Sequence, residues 1–274
     1  MATITAQDVN KLRKQTGAGM MDCKKALVEA EGDFEKAIDL LRKKGQKVAA
    51  KRADREATEG AVIALTNSDN TKGIVVRVNC ETDFVAKNEG FVDFANAIAK
   101  VALESGAKDI ESLKAESFDG KLTIADKLTE QTGVIGEKID ISGFETVEAP
   151  YVASYIHMGN KIGTIVALSD VAEEAGRDVA MQAAAMNPVS LDKDSVPQEI
   201  IERELEVGRE QAREEGKPEQ MVDKIAQGKL NKFFKENTLV EQSFIKDSSM
   251  SVSKYLNSVK SGLTVKGFQR LALG

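Results

Sequence analysis

The chain has 274 residues, 42% hydrophobic and 30% charged, enough to bury one large core or two to three small ones. Its net charge of −6 works against a general affinity for phosphate backbones, which clustered Lys and Arg drive, so any RNA contact must be local. Two cysteines at no metal-site or disulfide spacing, no apolar export core in MATITAQDVNKLRK and no run near the ~20 apolar residues that span a bilayer point to a reduced, cytoplasmic protein, neither exported nor embedded.

Residues 5–44 read as three short helices. Thr5 caps the first, with Asp8 three positions on as a variant capping box, and Val9 and Leu12 mark its buried face. Gly17 and Gly19 break it. A second helix carries Ala26, Leu27 and Ala30, Asp33 caps a third with Phe34, Ala37, Ile38 and Leu41, and Gly45 is expected to close the module. So small a core leans on a neighbour or a partner. Residues 46–59, QKVAAKRADREATE, mix both charges with almost no large apolar side chains and read as a linker or a solvated helix extension, so the domain boundary is placed there.

Ala61–Leu65 and Ile74–Val78 then alternate as strands around SDNTKG, and a helix follows with Phe91, Phe94, Ala95, Ile98 and Val101 on one face. The unit recurs: Tyr151–Ile156 and Ile162–Leu168 flank a turn at Gly159 and Asn160, and an Ala-rich helix runs over about 171–186. TKGIVVRV and NKIGTIVAL occupy equivalent places, which predicts two related α+β subdomains packed side by side. After Pro188 and Pro197, Ile201, Leu205, Gly208 and Ala212 form a narrow stripe; Gly216 and Pro218 turn the chain, and Met221, Ile225 and Phe233 mark a second helix, so 197–235 reads as an antiparallel helical hairpin. A helix with Val252, Tyr255, Leu256 and Val259 and a last strand, LTVKGFQRLAL, return the chain to the sheet.

Covalent chemistry finds little footing. There is no GxxxxGK[ST] loop, and GNKIGT at 159–164 has its Lys in the wrong place. The single histidine, His157, excludes His-based metal clusters; it reads as a structural residue or a partner contact before a catalytic one. Most carboxylates sit near Lys or Arg at helical spacing, as solvated ion pairs do. KKGQKVAAKRADR holds six basic residues but no aromatic to stack a base. The exception is NCETDFVAKNEGF, where Thr82, Asp83 and Phe84 fall between a strand and a helix. Phe84 is either tucked beneath its own helix or an exposed anchor for a pocket on another protein.

LRKQTGAGMMDCKKAL at 12–27 and VNCETDFVAKNEGF at 78–91 are similar to the two signature segments of the elongation factor Ts family. YIHMGNKIGTIVAL at 155–168 and KPEQMVDKIAQGKLNKF at 217–233 extend the resemblance over nearly the whole chain, more loosely beyond Gly120. One departure is Arg77, where the signature has an acid; it puts local strand pairing in doubt and leaves the loop intact. The resemblance implies an α+β fold: a ubiquitin-associated-like three-helix module (1–45), a linker (46–59), and core subdomains at 60–150 and 151–274. The second subdomain would carry a helical-hairpin dimerisation insert at about 187–235 and a C-terminal module. It implies a nucleotide-exchange factor that needs no cofactor or metal and binds elongation factor Tu in its GDP-bound and nucleotide-free forms. A homodimer through the hairpin is open, and neither membrane nor direct nucleic-acid binding is expected. Leu12, Met20 and Met21 would grip the partner's nucleotide domain, while Thr82, Asp83, Phe84 and Val85 enter beside the nucleotide and disturb its magnesium site. Phe84 would be the wedge, Asp83 its support, and His157 would meet a second domain. An RNA- or ribosome-associated protein using the first module and basic linker is the alternative, and an enzyme with an unfamiliar site the weakest reading.

Overall fold

The computed structural model describes residues 4–274. The chain opens with α1 (Ala6–Thr16), α2 (Met20–Glu29) and α3 (Phe34–Arg52) around a core of Val9, Leu12, Cys23, Leu27, Ala37 and Ile38. Thr5 and Asp8 form the expected reciprocal box, each side chain meeting the other's backbone N–H. The third helix differs from expectation. It runs straight through Gly45 to Arg52 and absorbs the first half of the expected linker. At this point α3 crosses α7 (Ile124–Ile135) closely: a Cβ added at Gly133 would lie 2.4 Å from the Gly45 Cα, so Gly133 has no room for a side chain where the helices touch. The glycine read as a terminator is a contact point.

Two three-stranded antiparallel sheets follow. One comprises β1 (Glu59–Thr66), β2 (Lys72–Cys80) and β3 (Asp140–Glu148) in that order. Between β2 and β3 lie a single turn of helix, α4 (Asp83–Ala86), then α5 (Glu89–Glu104), α6 (Ile110–Ala115) and α7. The other sheet comprises β4 (Tyr151–Ile156), β5 (Ile162–Leu168) and the last strand, β8 (Val265–Ala272), with α8 (Glu173–Met186) following β5. Ala61 and Ile63 face α5 with Phe91, Ala95 and Ile98, while Val62, Ala64 and Val75 face Val152 and Ile165 of the other sheet. Both faces of each sheet are covered, which is why these strands read as almost continuous apolar runs.

The units stack face to face rather than side by side, about a local two-fold relation legible in the contacts. Val62 N donates to the Asn160 carbonyl at 2.7 Å, and Val152 N to the Asn70 carbonyl at 2.6 Å. A Cβ at Gly163 would meet Val62 at 2.8 Å, and one at Gly73 would meet Val152 at 2.6 Å. The equivalent residues in each pair stand ninety positions apart. Each valine thus fills the space the other unit's glycine leaves. Arg77 closes the same stack at its rim, donating to Ser142 Oγ and to the Ala272 carbonyl on β8. A guanidinium here meets carbonyl and hydroxyl acceptors, so the departure from the signature ties the first sheet to the last strand.

From α8 a short 3-10 turn (Lys193–Ser195) leads to α9 (Gln198–Glu214) and α10 (Glu219–Asn237). The stripe of α10 facing α9 is Val222, Ala226 and Leu230, not Met221, Ile225 and Phe233. Gly208 brings α9 to within 3.1 Å, from a Cβ placed on it, of the Ala226 Cα, and that contact sets the rotation of α10. A two-strand ribbon, β6 (Ser243–Phe244) and β7 (Asp247–Ser251), and α11 (Val252–Val259) complete a second core with Leu239, Phe244 and Leu256 over α8. The architecture is α+β with antiparallel sheets.

Gly73→Ala is expected to destabilise the fold by about 1–3 kcal/mol through overpacking against Val152. Adding Val152→Ala should recover part of that loss, giving non-additive urea unfolding midpoints in a double-mutant cycle.

Candidate functional site

The segment Cys80 to Ala86 leaves the end of β2 and is held by two carboxylates in reciprocal roles. Gly136, at φ 82°, caps α7 and turns the chain so that Glu137 and Lys138 meet the strand end. Glu137 accepts Glu81 N at 3.1 Å and Thr82 N at 3.0 Å through Oε2, and Thr82 Oγ1 at 2.7 Å through Oε1. In return Glu81 Oε1 accepts Lys138 N at 2.6 Å. Arg52, at the end of α3, places Nη1 at 2.7 and 2.8 Å from the two Glu81 oxygens. The Lys138 ammonium caps α3 by donating to the carbonyls of Ala53 and Arg55. Three separate chain segments therefore meet at one strand end through charge-assisted hydrogen bonds.

Thr82 serves as the N-cap of α4, its hydroxyl accepting Val85 N. Asp83 pairs with Lys87 one helical turn on, at 2.7 Å. That hydrogen bond and charge hold the Asp83 carboxyl below its usual range and lift the Lys87 ammonium. Val85 is half-buried against the first core, so it anchors the turn rather than facing outward. Phe84 does the reverse, standing 84% exposed. Cys80, beneath the turn, is fully buried; its thiol is pushed up to about 12, mainly by burial and then by the Glu137 charge, and stays protonated.

The other expected site residues separate into two groups. Met20 and Met21 open α2 and are 53% and 62% exposed. Leu12, expected to grip a partner, is wholly buried in the three-helix core with Cys23 and Leu27, so its side chain is not on the surface of this chain. His157 is exposed on the β4–β5 turn with Nδ1 3.1 Å from the Tyr155 hydroxyl, and Met158 beside it is 89% exposed. Sequence reasoning passed over Met158, Glu137 and Lys138, and treated Arg52 only as linker charge. A Gly-acid pair after an amphipathic helix, GE at 136–137, was the available signal for the clamp.

Among the described residues, no group of three His, Cys, Asp or Glu side chains could hold a metal ion, and no helix is long and apolar enough to cross a membrane. The basic run after Lys43 is partly engaged, Lys44 with Asp22 and Arg52 with Glu81. What the site itself exposes is apolar, Phe84 on its capped turn with Met20, Met21 and Met158, a composition suited to gripping another protein.

The family described as Elongation factor TS matches residues 81–274, which includes Glu81, the turn and Glu137. Over the full length of both chains, the sequence is 62% identical to the elongation factor Ts of Christiangramia forsetii and 60% identical to that of Flavobacterium psychrophilum. It is 54% identical to that of Amoebophilus asiaticus over 99% of each chain.

Removing the Glu137 carboxylate with Glu137→Ala leaves two backbone donors without their acceptor, and faster amide hydrogen exchange at Glu81 and Thr82 is expected. Acid should act through Glu81. The hydrogen bond from the Lys138 amide is the largest cause that lowers its pKa from the usual 4.5; burial opposes it, and the Arg52 hydrogen bond and charge and the Arg55 charge add to the lowering. Because the folded value lies below the unfolded one, the unfolded chain binds the proton first. The stabilisation is complete above 4.5 and disappears as pH falls through the lowered folded value. As pH falls below about 4.5 the parent should lose stability more steeply than Glu81→Gln in chemical unfolding.

Proposed function

The chain belongs to the elongation factor Ts family, and from that membership we propose that it binds GDP-bound elongation factor Tu and promotes replacement of GDP by GTP, with no covalent chemistry of its own. The observation that carries the mechanism is Phe84, 84% exposed on a turn whose backbone is held by Glu137. A core-forming aromatic left in water on a rigid mount is an anchor awaiting a pocket. The turn formed by Thr82, Asp83, Phe84 and Val85 enters beside the bound nucleotide, with Phe84 as the wedge between partner helices. Thr82 and Val85 hold the turn's shape, and Asp83 closes it through Lys87. Disturbing the partner's magnesium site and phosphate-binding loop then removes contacts to GDP. Met20 and Met21 grip the nucleotide domain, and His157 with Met158 meets a second domain.

The energetics are those of coupled binding. If nucleotide-free partner is bound more tightly than nucleotide-bound partner by some factor, nucleotide affinity falls by the same factor in the complex. Exchange has no built-in direction, and excess GTP supplies it. One coupling step is typically about 1–3 kcal/mol, so several contacts must act together. The same reading divides the chain into a three-helix module, two sheet-centred subdomains and a projecting α9–α10 hairpin. That hairpin is proposed to pair two copies, supported by Val207 and Met221, each 40% exposed on it. Sedimentation should then report twice the 29.6 kDa chain mass, and Met221→Glu should halve it.

The decisive measurement is release of a fluorescent GDP analogue from purified elongation factor Tu. The parent is expected to accelerate it strongly, Phe84→Ala to slow it by about tenfold or more, as loss of an anchor worth about 2 kcal/mol does, and Asp83→Ala to weaken it less. Binding should persist in both variants. Acceleration unchanged in both would move the mechanism elsewhere, and no acceleration by the parent would overturn the exchange function.

A further inference from the structure

The helix α3 belongs to two places at once. Its first half supplies Ala37 and Ile38 to the three-helix core, beside α2 with its exposed Met20 and Met21. Its middle crosses α7 at Gly45. Its last residue, Arg52, reaches Glu81, the residue directly before the Thr82 cap. An unbroken helix of 19 residues is a rod about 28 Å long. Lys44 pairs with Asp22, the residue after Met21, so the stretch of this rod from Lys44 to Arg52 joins the methionine end of α2 to the Phe84 turn without a joint.

The ion pair is placed to matter. The Glu81 side chain is 17% exposed and that of Arg52 34%, and the same Glu81 carboxylate also accepts Lys138 N. Lys138 in turn holds the carbonyls just past the end of α3. The set of contacts is closed: rod to turn through Arg52 and Glu81, turn to the α7–β3 connection through Glu137, and that connection back to the rod through Lys138. A solvated surface ion pair would share none of its atoms with the backbone of a functional turn.

We propose that Arg52 is a positioning residue for nucleotide exchange: by gripping Glu81 it locks the 82–85 turn to the three-helix module, so that Met20, Met21 and Phe84 meet the partner as one preset surface. The inference rests on the exchange reading above and adds to it a residue that touches neither nucleotide nor partner. Presetting removes ordering that would otherwise oppose the wedging step, so its loss falls on the rate of release at saturating factor more than on the initial encounter.

The test is a double-mutant cycle on GDP-analogue release at saturating concentrations of the full chain. Arg52→Ala and Glu81→Gln should each slow release by about three- to tenfold, with Arg52→Ala adding little in the Glu81→Gln background. Arg52→Lys should restore part of the rate, and Lys51→Ala, on an exposed neighbouring position of α3, should leave it unchanged. A thermal midpoint for each variant identifies any that fails to fold, in which case Arg52→Lys and Glu81→Gln carry the cycle. Parental release by Arg52→Ala, or fully additive losses, would overturn the proposal. Should the parent itself fail to accelerate release, the exchange reading is what falls. Amide hydrogen exchange over 81–86 in the chain alone then decides the clamp: faster exchange in Arg52→Ala supports it, and parental exchange overturns it.

Discussion

The contact on which the rest of this molecule depends is the close face-to-face approach of its two sheets. Val62 and Val152 each occupy the space left by a glycine of the other unit, Gly163 and Gly73, and each donates its N–H to an asparagine carbonyl in the opposite turn. Such interlocking fixes both the separation and the sliding of the sheets, because neither a Cβ nor a shift of one residue fits. With inner faces locked, the outer faces take α5 and α8, and the paired strands β1, β2, β4 and β5 carry continuous buried runs. The positions of the strand ends follow, including the end of β2 from which the Phe84 turn departs.

That turn illustrates how an exposed aromatic is kept in place. Leaving a Phe side chain in water forgoes about 1.5–3 kcal/mol of burial free energy. A loose loop would recover some of it by folding the ring inward. Here two backbone N–H groups and a hydroxyl are bound to Glu137, Val85 is packed below, and the turn begins with a capped helix, so the inward path is closed. The unrealised burial remains available to a partner with a matching pocket. Cys80, buried and protonated beneath the turn, acts as a small apolar filler there rather than as a reactive thiol.

Rigidity on this scale suits coupled binding. A factor that weakens nucleotide affinity must convert contact energy at remote patches into distortion at one place, and any hinge between the patches would dissipate part of it as ordering entropy. The helix α3 joins the methionine-bearing module to the turn, and α7 supports it through a glycine-to-glycine crossing. The exposed Met side chains, unbranched and adaptable, are suited to following the shape of a partner surface where the frame is rigid.

Local patterns in the chain determined much of this. The capping box at Thr5, the alternation in 61–65 and 74–78, the repeated strand pair at 151–168 and the paired helices after Pro197 are short-range signals, and the folded chain has these elements close to where those signals put them. The two long signature segments determined the family. Residues 105–150 escaped because their amphipathic stretches are short and unmarked by motif, and with them went Glu137 and Lys138. The meaning of Gly45, the buried face of α10, the inward position of Leu12 and the outward one of Phe84 were decided only by the tertiary structure. Each depends on a neighbour distant in sequence: Gly133 for Gly45, Gly208 for α10, Cys23 and Leu27 for Leu12, Glu137 for the Phe84 turn. Periodicity reports which face of an element is apolar, whereas close approach and charge pairing between segments exist only once the chain has folded.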